Sequence, residues 1–209
     1  MNVEYEKLGD EIRKSFSALL KNYLPKNLSE KTKENKPVKI ISIACGKFIE
    51  AECLLDYFSP YEKLLKLYGI EIDDELLNSA KERLLTDNKK DHIFLKSGDA
   101  SKLENYEDWI TDGLFDLIIV RHPEITFNTD IFRKIFSNFN KLLDKEGHVF
   151  ITTHYENEKR ALKFLFNILK LNTIHEIENV SAASLKKGDE TVFADRFLLV
   201  ASPTKEPIA

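Results

Sequence analysis

The side chains able to do chemistry fall in a few short stretches of the 209-residue chain. Ser42-Ile-Ala-Cys-Gly-Lys-Phe-Ile-Glu50 follows an apolar run. Its Gly46 lets the backbone approach a ligand and opens a helix whose N-terminus can face a carboxylate or phosphate. Glu71 stands between two isoleucines, 71 − 46 = 25 residues after Gly46, close to the separation at which a carboxylate on a second strand reaches ribose hydroxyls. Asp74 and Glu75 read more simply as the acidic first turn of the next helix. In Val120-Arg-His-Pro-Glu-Ile-Thr126 an Arg, a His and a Glu follow a buried strand. His122 is the candidate general base near neutral pH, Arg121 suits an anionic group, and Glu124 would orient either one. The structural alternative pairs Arg121 with Glu124 and leaves His122 capping the strand. His154 is the second candidate base, whereas His92, His148 and His175 sit at strand starts and read as structural. Cys45 and Cys53 are 53 − 45 = 8 residues apart, with no histidine at metal spacing, so they read as buried thiols and no metal site is expected.

The elements that must position these residues are written in the hydrophobic period. Leu8, Ile12, Phe16, Leu19, Leu20 and Tyr23 recur at helical spacing and predict a helix over 4–24, ending at Pro25. Lys26 to Pro37 is charged and nearly free of apolar side chains, so it reads as a solvated linker closing an N-terminal arm, 1–37, ahead of a main domain, 38–209. Beyond Pro37, strands are predicted at 38–44, 64–72, 92–96, 115–120 and 148–153, and helices at 49–58, 74–85, 102–110, 129–143 and 156–171. Strand and helix alternate, and the strands are continuously apolar, as in a parallel sheet covered on both faces. The fold class is α/β. Two last strands, 174–180 and 191–201, are too close for a parallel crossover and read as an antiparallel hairpin around Lys186-Lys-Gly-Asp189.

Placed in this order, the motifs resemble the class I S-adenosylmethionine-dependent methyltransferases, and the resemblance runs from about Lys39 to Ala201. Gly69-Ile-Glu-Ile-Asp-Asp-Glu-Leu-Leu-Asn-Ser-Ala80 resembles the ribose-binding motif and its helix, and Ser97-Gly-Asp-Ala100 the adenine-binding motif. Phe115-Asp-Leu-Ile-Ile-Val120 resembles the fourth strand, and Leu142-Leu-Asp-Lys-Glu-Gly-His-Val-Phe-Ile151 the step into the fifth. The resemblance implies a Rossmann-like, seven-stranded, mostly parallel sheet with helices on both faces, an antiparallel last strand and an N-terminal helical extension. It also implies S-adenosylmethionine as cofactor. The turn Ala44, Cys45, Gly46 would approach the methionine portion, Glu71 would accept from both ribose hydroxyls, and Asp99 from the adenine amino group. Ile72 and Ala100 would offer apolar contact to the adenine faces. The acceptor would lie at the end of the fourth strand, beside His122.

Where such sequences carry an acidic residue and three alternating glycines in the first turn, this chain has Ser42, Ala44, Gly46 and Phe48. Phe48 is expected to crowd the methionine portion unless the turn is displaced. The chain is then either a divergent methyltransferase or a catalytically impaired binding or regulatory domain. A nicotinamide dehydrogenase is disfavoured, because a G-x-G-x-x-G pattern would have to run through Ala44, Gly46 and Ile49. His122-Pro-Glu stands where an Asn/Asp-Pro-Pro-aromatic motif would serve DNA-base or glutamine methylation. The formal charge is −4, so a small-molecule acceptor is expected rather than a nucleic acid, with RNA methylation through the linker lysines as a further alternative. No apolar run reaches membrane length, and a cytoplasmic monomer or homodimer is expected. The N-terminal helix is expected to close over the site as a lid. Only seven residues are glycine, against a usual share of about 7%. Gly46, Gly69, Gly98 and Gly147 nevertheless fall where the resemblance calls for them.

Overall fold

Runs of five to seven β-branched and leucine residues between turn residues can bury both faces only as inner strands, and this dictates the architecture. The computed structural model describes residues 3–85, 91–187 and 190–204. In chain order the elements are α1 (Val3–Tyr23), α2 (Lys26–Lys33), β1 (Val38–Ile43), α3 (Ile49–Tyr57), β2 (Leu65–Glu71), α4 (Asp74–Leu84), β3 (Ile93–Ser97), α5 (Glu107–Ile110) and β4 (Phe115–Arg121). Then follow α6 (Thr129–Ser137), α7 (Phe139–Leu142), β5 (Leu143–Thr153), α8 (Glu156–Ile168), β6 (Leu171–Glu178), β7 (Ala183–Lys187), β8 (Glu190–Ala194) and β9 (Phe197–Pro203).

Seven strands form one sheet in the order β3-β2-β1-β4-β5-β9-β6. The first five are parallel, and β9 runs antiparallel to both β5 and β6. Alternation along each strand divides the core into two layers. Ile41, Ile43, Ile70, Ile118, Val120 and Ile151 face α6, α7 and α8. Ile40, Leu67, Leu117, Ile119 and Phe150 face α1 and α3. The chain leaves β1 toward β2 and β3, then crosses to β4 on the other side. The crevice between the carboxyl ends of β1 and β4 is therefore the switch point where open α/β sheets bind ligands.

Three expectations change. The stretch read as a solvated linker is helical over Lys26–Lys33, with Leu28 and Thr32 buried. Lys31 pairs with Asp116 at 2.7 Å and Asn27 donates to the Glu146 carbonyl, so a sparse apolar content was enough once one leucine and one ion pair tied the helix down. The run 191–201 is two strands, because Asp195 takes φ +53° and breaks the ladder. Only β9 joins the main sheet, while β8 pairs with β7 in a separate hairpin. Residues 188 and 189, at the centre of the predicted loop, lie outside the described residues, as does the side chain of Leu8. Finally, α1 is not a lid. Its Phe16, Leu19 and Leu20 are buried in the sheet core, with the Phe16 ring edge-on to Phe150. Swinging it away would expose apolar side chains worth roughly 2 kcal/mol each.

Both cysteines are buried and free, and burial pushes the Cys45 thiol well above its ordinary range. Among the described residues no helix is long and apolar enough to cross a membrane.

Candidate active site

The carboxyl ends of β1, β2 and β3 surround a slot of about 220 Å³ lined by Ala44, Ile70, Glu71, Ile72, Gly98, Asp99, Ala100, Asn128, Ile131, Phe132 and Ile135. Five residues singled out in the sequence, Ala44, Glu71, Ile72, Asp99 and Ala100, meet here. Ile72 is 69% exposed and Ile131 also stands open to solvent, so the mouth presents apolar faces that a flat ring would cover. Two carboxylates edge the slot. Glu71 Oε2 accepts from the Gly46 amide at 2.6 Å, and Oε1 accepts from the amides of Ile72 and Asp73. Asp99 Oδ1 accepts from the Ser101 amide, and its bonds to Ser101 hold the carboxyl below its ordinary pKa. Both groups retain lone pairs for hydroxyl or amino donors. Gly46 thus acts through its amide, whereas Cys45 turns its side chain into the core.

Three residues of the first turn, Ala44, Gly46 and Phe48, have φ of +52°, +53° and +52°. These are the three positions at which the resemblance calls for glycine. The left-handed backbone is kept, although two of its residues carry a Cβ that disfavours it by about 1–2 kcal/mol each. Phe48 does not crowd the slot: its ring is 1% exposed and packed beneath the turn. A Cβ built on Gly69 would lie 3.1 Å from that ring, 3.1 Å from Cys45 Sγ and 2.7 Å from Leu95, so the missing side chain at 69 makes room for the ring at 48. At the place of the acidic residue, Ser42 donates to Glu50 of α3, and a carboxylate reaches the strand end from the neighbouring helix. Restoring the glycine tests this turn. Ala44→Gly relieves roughly 1 kcal/mol of strain and adds back about 0.4–1 kcal/mol of unfolded-chain entropy. Urea denaturation should therefore find its stability almost unchanged, and a large gain or loss would mean the turn is not already in this conformation.

A second cavity, of about 520 Å³, opens at the ends of β4 and β5 and is lined by His122, Glu124, Thr126, Phe127, His154, Tyr155, Asn157 and Glu158. It shares the 122–132 segment with the slot. His122 and Glu124 reach it, but Arg121 does not. The Arg121 guanidinium grips the fully buried Asp195, Nε to Oδ1 at 3.1 Å and Nη2 to Oδ2 at 2.7 Å, reaches Glu50 at 3.4 Å, and lies over the Phe16 ring. Burial alone would raise the Asp195 pKa, but Arg121 holds it well below the carboxylate range. Burial likewise opposes the charge on Arg121, and the two carboxylates keep it protonated. Thr152 also donates to Asp195, at 2.6 Å.

The two rings in this cavity are stacked, with centroids 3.8 Å apart, and their hydrogen bonds set opposite tautomers. His122 Nε2 lies 3.0 Å from both the Asp195 amide nitrogen and Oδ1. The amide hydrogen points at the ring, while Oδ1 already receives Arg121 and Thr152, so the amide bond governs. Neutral His122 then carries its proton on Nδ1, and its lone pair faces the buried Asp195. His154 Nδ1 lies 3.0 Å from the Phe193 carbonyl. A carbonyl only accepts, so Nδ1 carries a proton. Burial raises the pKa of Glu158, against the amides of Tyr155 and His154.

A third cavity, about 680 Å³, lies at the opposite end of the sheet among Tyr23, Lys26, Lys145, His148 and His175. It is remote from the switch point, and His148 and His175 fall at that end as expected, but inside β5 and β6 rather than at their starts. Asp195, Glu50, Glu158 and Tyr155 were missed. The only sequence signal was the Asp195-Arg196 pair interrupting an apolar run.

No family model matches the chain, and no curated protein matches it in sequence. Solved structures do match in fold. A protein from Pyrococcus horikoshii is 16% identical with a TM-score of 0.63, covering 97% of this chain and 92% of that one. An S-adenosylmethionine-dependent methyltransferase from Clostridium acetobutylicum is 14% identical with a TM-score of 0.59, over 91% of each chain. The glycopeptide N-methyltransferase MtfA, solved with sinefungin, is 13% identical with a TM-score of 0.60, over 85% of this chain and 92% of that one. With its strand order, its reversed β9 and these structural matches, the chain has the fold of the class I S-adenosylmethionine-dependent methyltransferases.

Proposed function

We propose that this chain is an S-adenosylmethionine-dependent methyltransferase that binds the cofactor in the slot and a small acceptor in the cavity beside it. One observation carries the reading: Glu71, Asp99 and the exposed faces of Ile72 and Ile131 converge on a single slot at the switch point. Two carboxylates suit the donors of a ribose and an amino group, and the apolar walls suit a purine. When bound, S-adenosylmethionine supplies an electrophilic methyl group on a sulfonium. The chain's own residues do the rest. Glu71 holds the ribose hydroxyls while keeping the first turn in place through Gly46. Asp99 and Ala100 orient the base, and the 122–132 segment brings the acceptor cavity alongside. Of the two rings there, we assign His154, whose Nδ1 proton is held by the Phe193 carbonyl, as the base, and His122, whose Nε2 is taken by the Asp195 amide, as a donor. This assignment reverses the order inferred from sequence. Arg121 acts as a positioning residue that holds Asp195, and through it His122.

Titration calorimetry with S-adenosylmethionine and S-adenosylhomocysteine tests the reading, and the absence of heat with both would sink it. Glu71→Ala removes two charge-assisted bonds to the ribose and should weaken binding by about 2–3 kcal/mol, some hundredfold. Unchanged affinity would mean the ribose is misplaced.

A further inference from the structure

Resting on that reading, we infer that Arg83 is a positioning residue for cofactor binding, which holds the first turn in the left-handed backbone that glycines would otherwise adopt without cost. Ala44 and Phe48 each carry a Cβ and still take φ of +52°, a conformation that L-residues disfavour. Something must offset that strain. The first half of the turn is tied to β2, where the Cys45 amide donates to the Ile70 carbonyl at 3.1 Å and the Gly46 amide to Glu71. The second half is held from α4 instead. Phe48 is the N-cap of α3 and makes no side-chain capping bond, but Arg83 Nη2 donates to the carbonyl of Lys47 and, at 3.2 Å, to that of Phe48. One guanidinium nitrogen thus spans both carbonyls.

Arg83 is itself aimed. Its Nη1 lies 2.7 Å from Glu52 Oε1, in the first turn of α3, and the other oxygen of Glu52 accepts from Arg13 of α1 at 3.2 Å. Arg83 and Glu52 are both partly buried, so salt screens them less than a surface pair. Leu84, the next residue of α4, is buried in the same core layer as Phe48, and this packing seats α4 against the turn. The planar fork of an arginine can meet the two carbonyls and the carboxylate together, as a lysine's point charge cannot, and its charge-assisted bonds are roughly twice as strong as neutral ones. Without them the turn would spend part of its time in ordinary backbone conformations. Apparent cofactor affinity would fall by the fraction left in the binding form. The helix α1, which is not a lid, then reaches the cofactor turn through Arg13 and Glu52.

The test is titration calorimetry with S-adenosylmethionine on the full chain and its variants, with urea denaturation of each alongside. Arg83→Met keeps the length of the side chain without its charge and should weaken binding about tenfold, as expected for loss of charged hydrogen bonds. Arg83→Lys, which keeps a cation opposite Glu52 but not the fork, should fall between the two and serves if Arg83→Met does not fold. A glycine at position 44 supplies the distinguishing measurement. If Arg83 works by offsetting backbone strain, Ala44→Gly should improve affinity by a larger factor in the Arg83→Met chain than in the parent, a coupling that a general loss of stability would not produce. Unchanged affinity in Arg83→Met, or the same factor from Ala44→Gly in both backgrounds, would overturn the inference and leave the cofactor reading standing. Absence of binding by the parent chain overturns both.

Discussion

Asp195→Asn is expected to cost about 3–5 kcal/mol of folding stability at neutral pH, the usual consequence of removing one partner from a buried ion pair. The size follows from what remains. Arg121 would stay buried with a single carboxylate, Glu50, at 3.4 Å, and Thr152 would lose its charged acceptor. Asparagine tolerates the left-handed φ of +53° at this position, so the loss reports the charge rather than the backbone. The pH dependence has a definite sign. Because Arg121 depresses the folded-state pKa of Asp195, its contribution is complete above the unfolded value of about 3.9 and is lost as pH falls toward the folded one. Urea denaturation should therefore show a wide gap between the two proteins at pH 7 and a narrower one in acid. Coincident transitions at pH 7 would show that the ion pair contributes nothing net.

His154→Gln is expected to slow methyl transfer by about 10²–10⁴, the usual contribution of a general base, with cofactor affinity unchanged. The prediction rests on a tautomer. The Phe193 carbonyl holds the proton on His154 Nδ1, whereas the Asp195 amide occupies the lone pair of His122. His122→Asn, which suits the φ of +51° at that position, should cost less. Rates of both variants under single-turnover conditions decide between the rings. Added imidazole should restore part of the rate in His154→Gln and none in His122→Asn. If His122→Asn proves the slower enzyme, the assignment of the base is wrong and the ring nearer Asp195 does the work.

What could be read from the residues alone was whatever has a local cause. Strand and helix follow from the period of the side chains. The ends of β1 to β3, with Gly46, Glu71 and Asp99, follow from turn chemistry close in sequence, and the structure gathers Glu71 and Asp99 at one slot. The charged stretch after Pro25 misled, because composition counts apolar residues and does not show that Leu28 would find a pocket. Phe48 misled for a related reason. Its position in the turn was evident, but its direction depended on the space left by Gly69, 69 − 48 = 21 residues away and on another strand.

The second half of the site had no local signature. Arg121 and Asp195 are 74 residues apart, and no spacing rule connects a strand end to a break between two later strands. Their pairing takes Arg121 away from the cavity and turns the His122 lone pair inward. The backbone carbonyl of Phe193, brought over by the same break, fixes a proton on His154 Nδ1. Sequence alone determined the fold and placed Gly46, Glu71 and Asp99 at the ends of β1 to β3, because hydrophobic period and turn chemistry act over short separations. Tertiary structure decided which titratable groups are locked in buried pairs and which line the cavity, because a proton's position depends on partners that only the closed sheet brings within 3 Å or so.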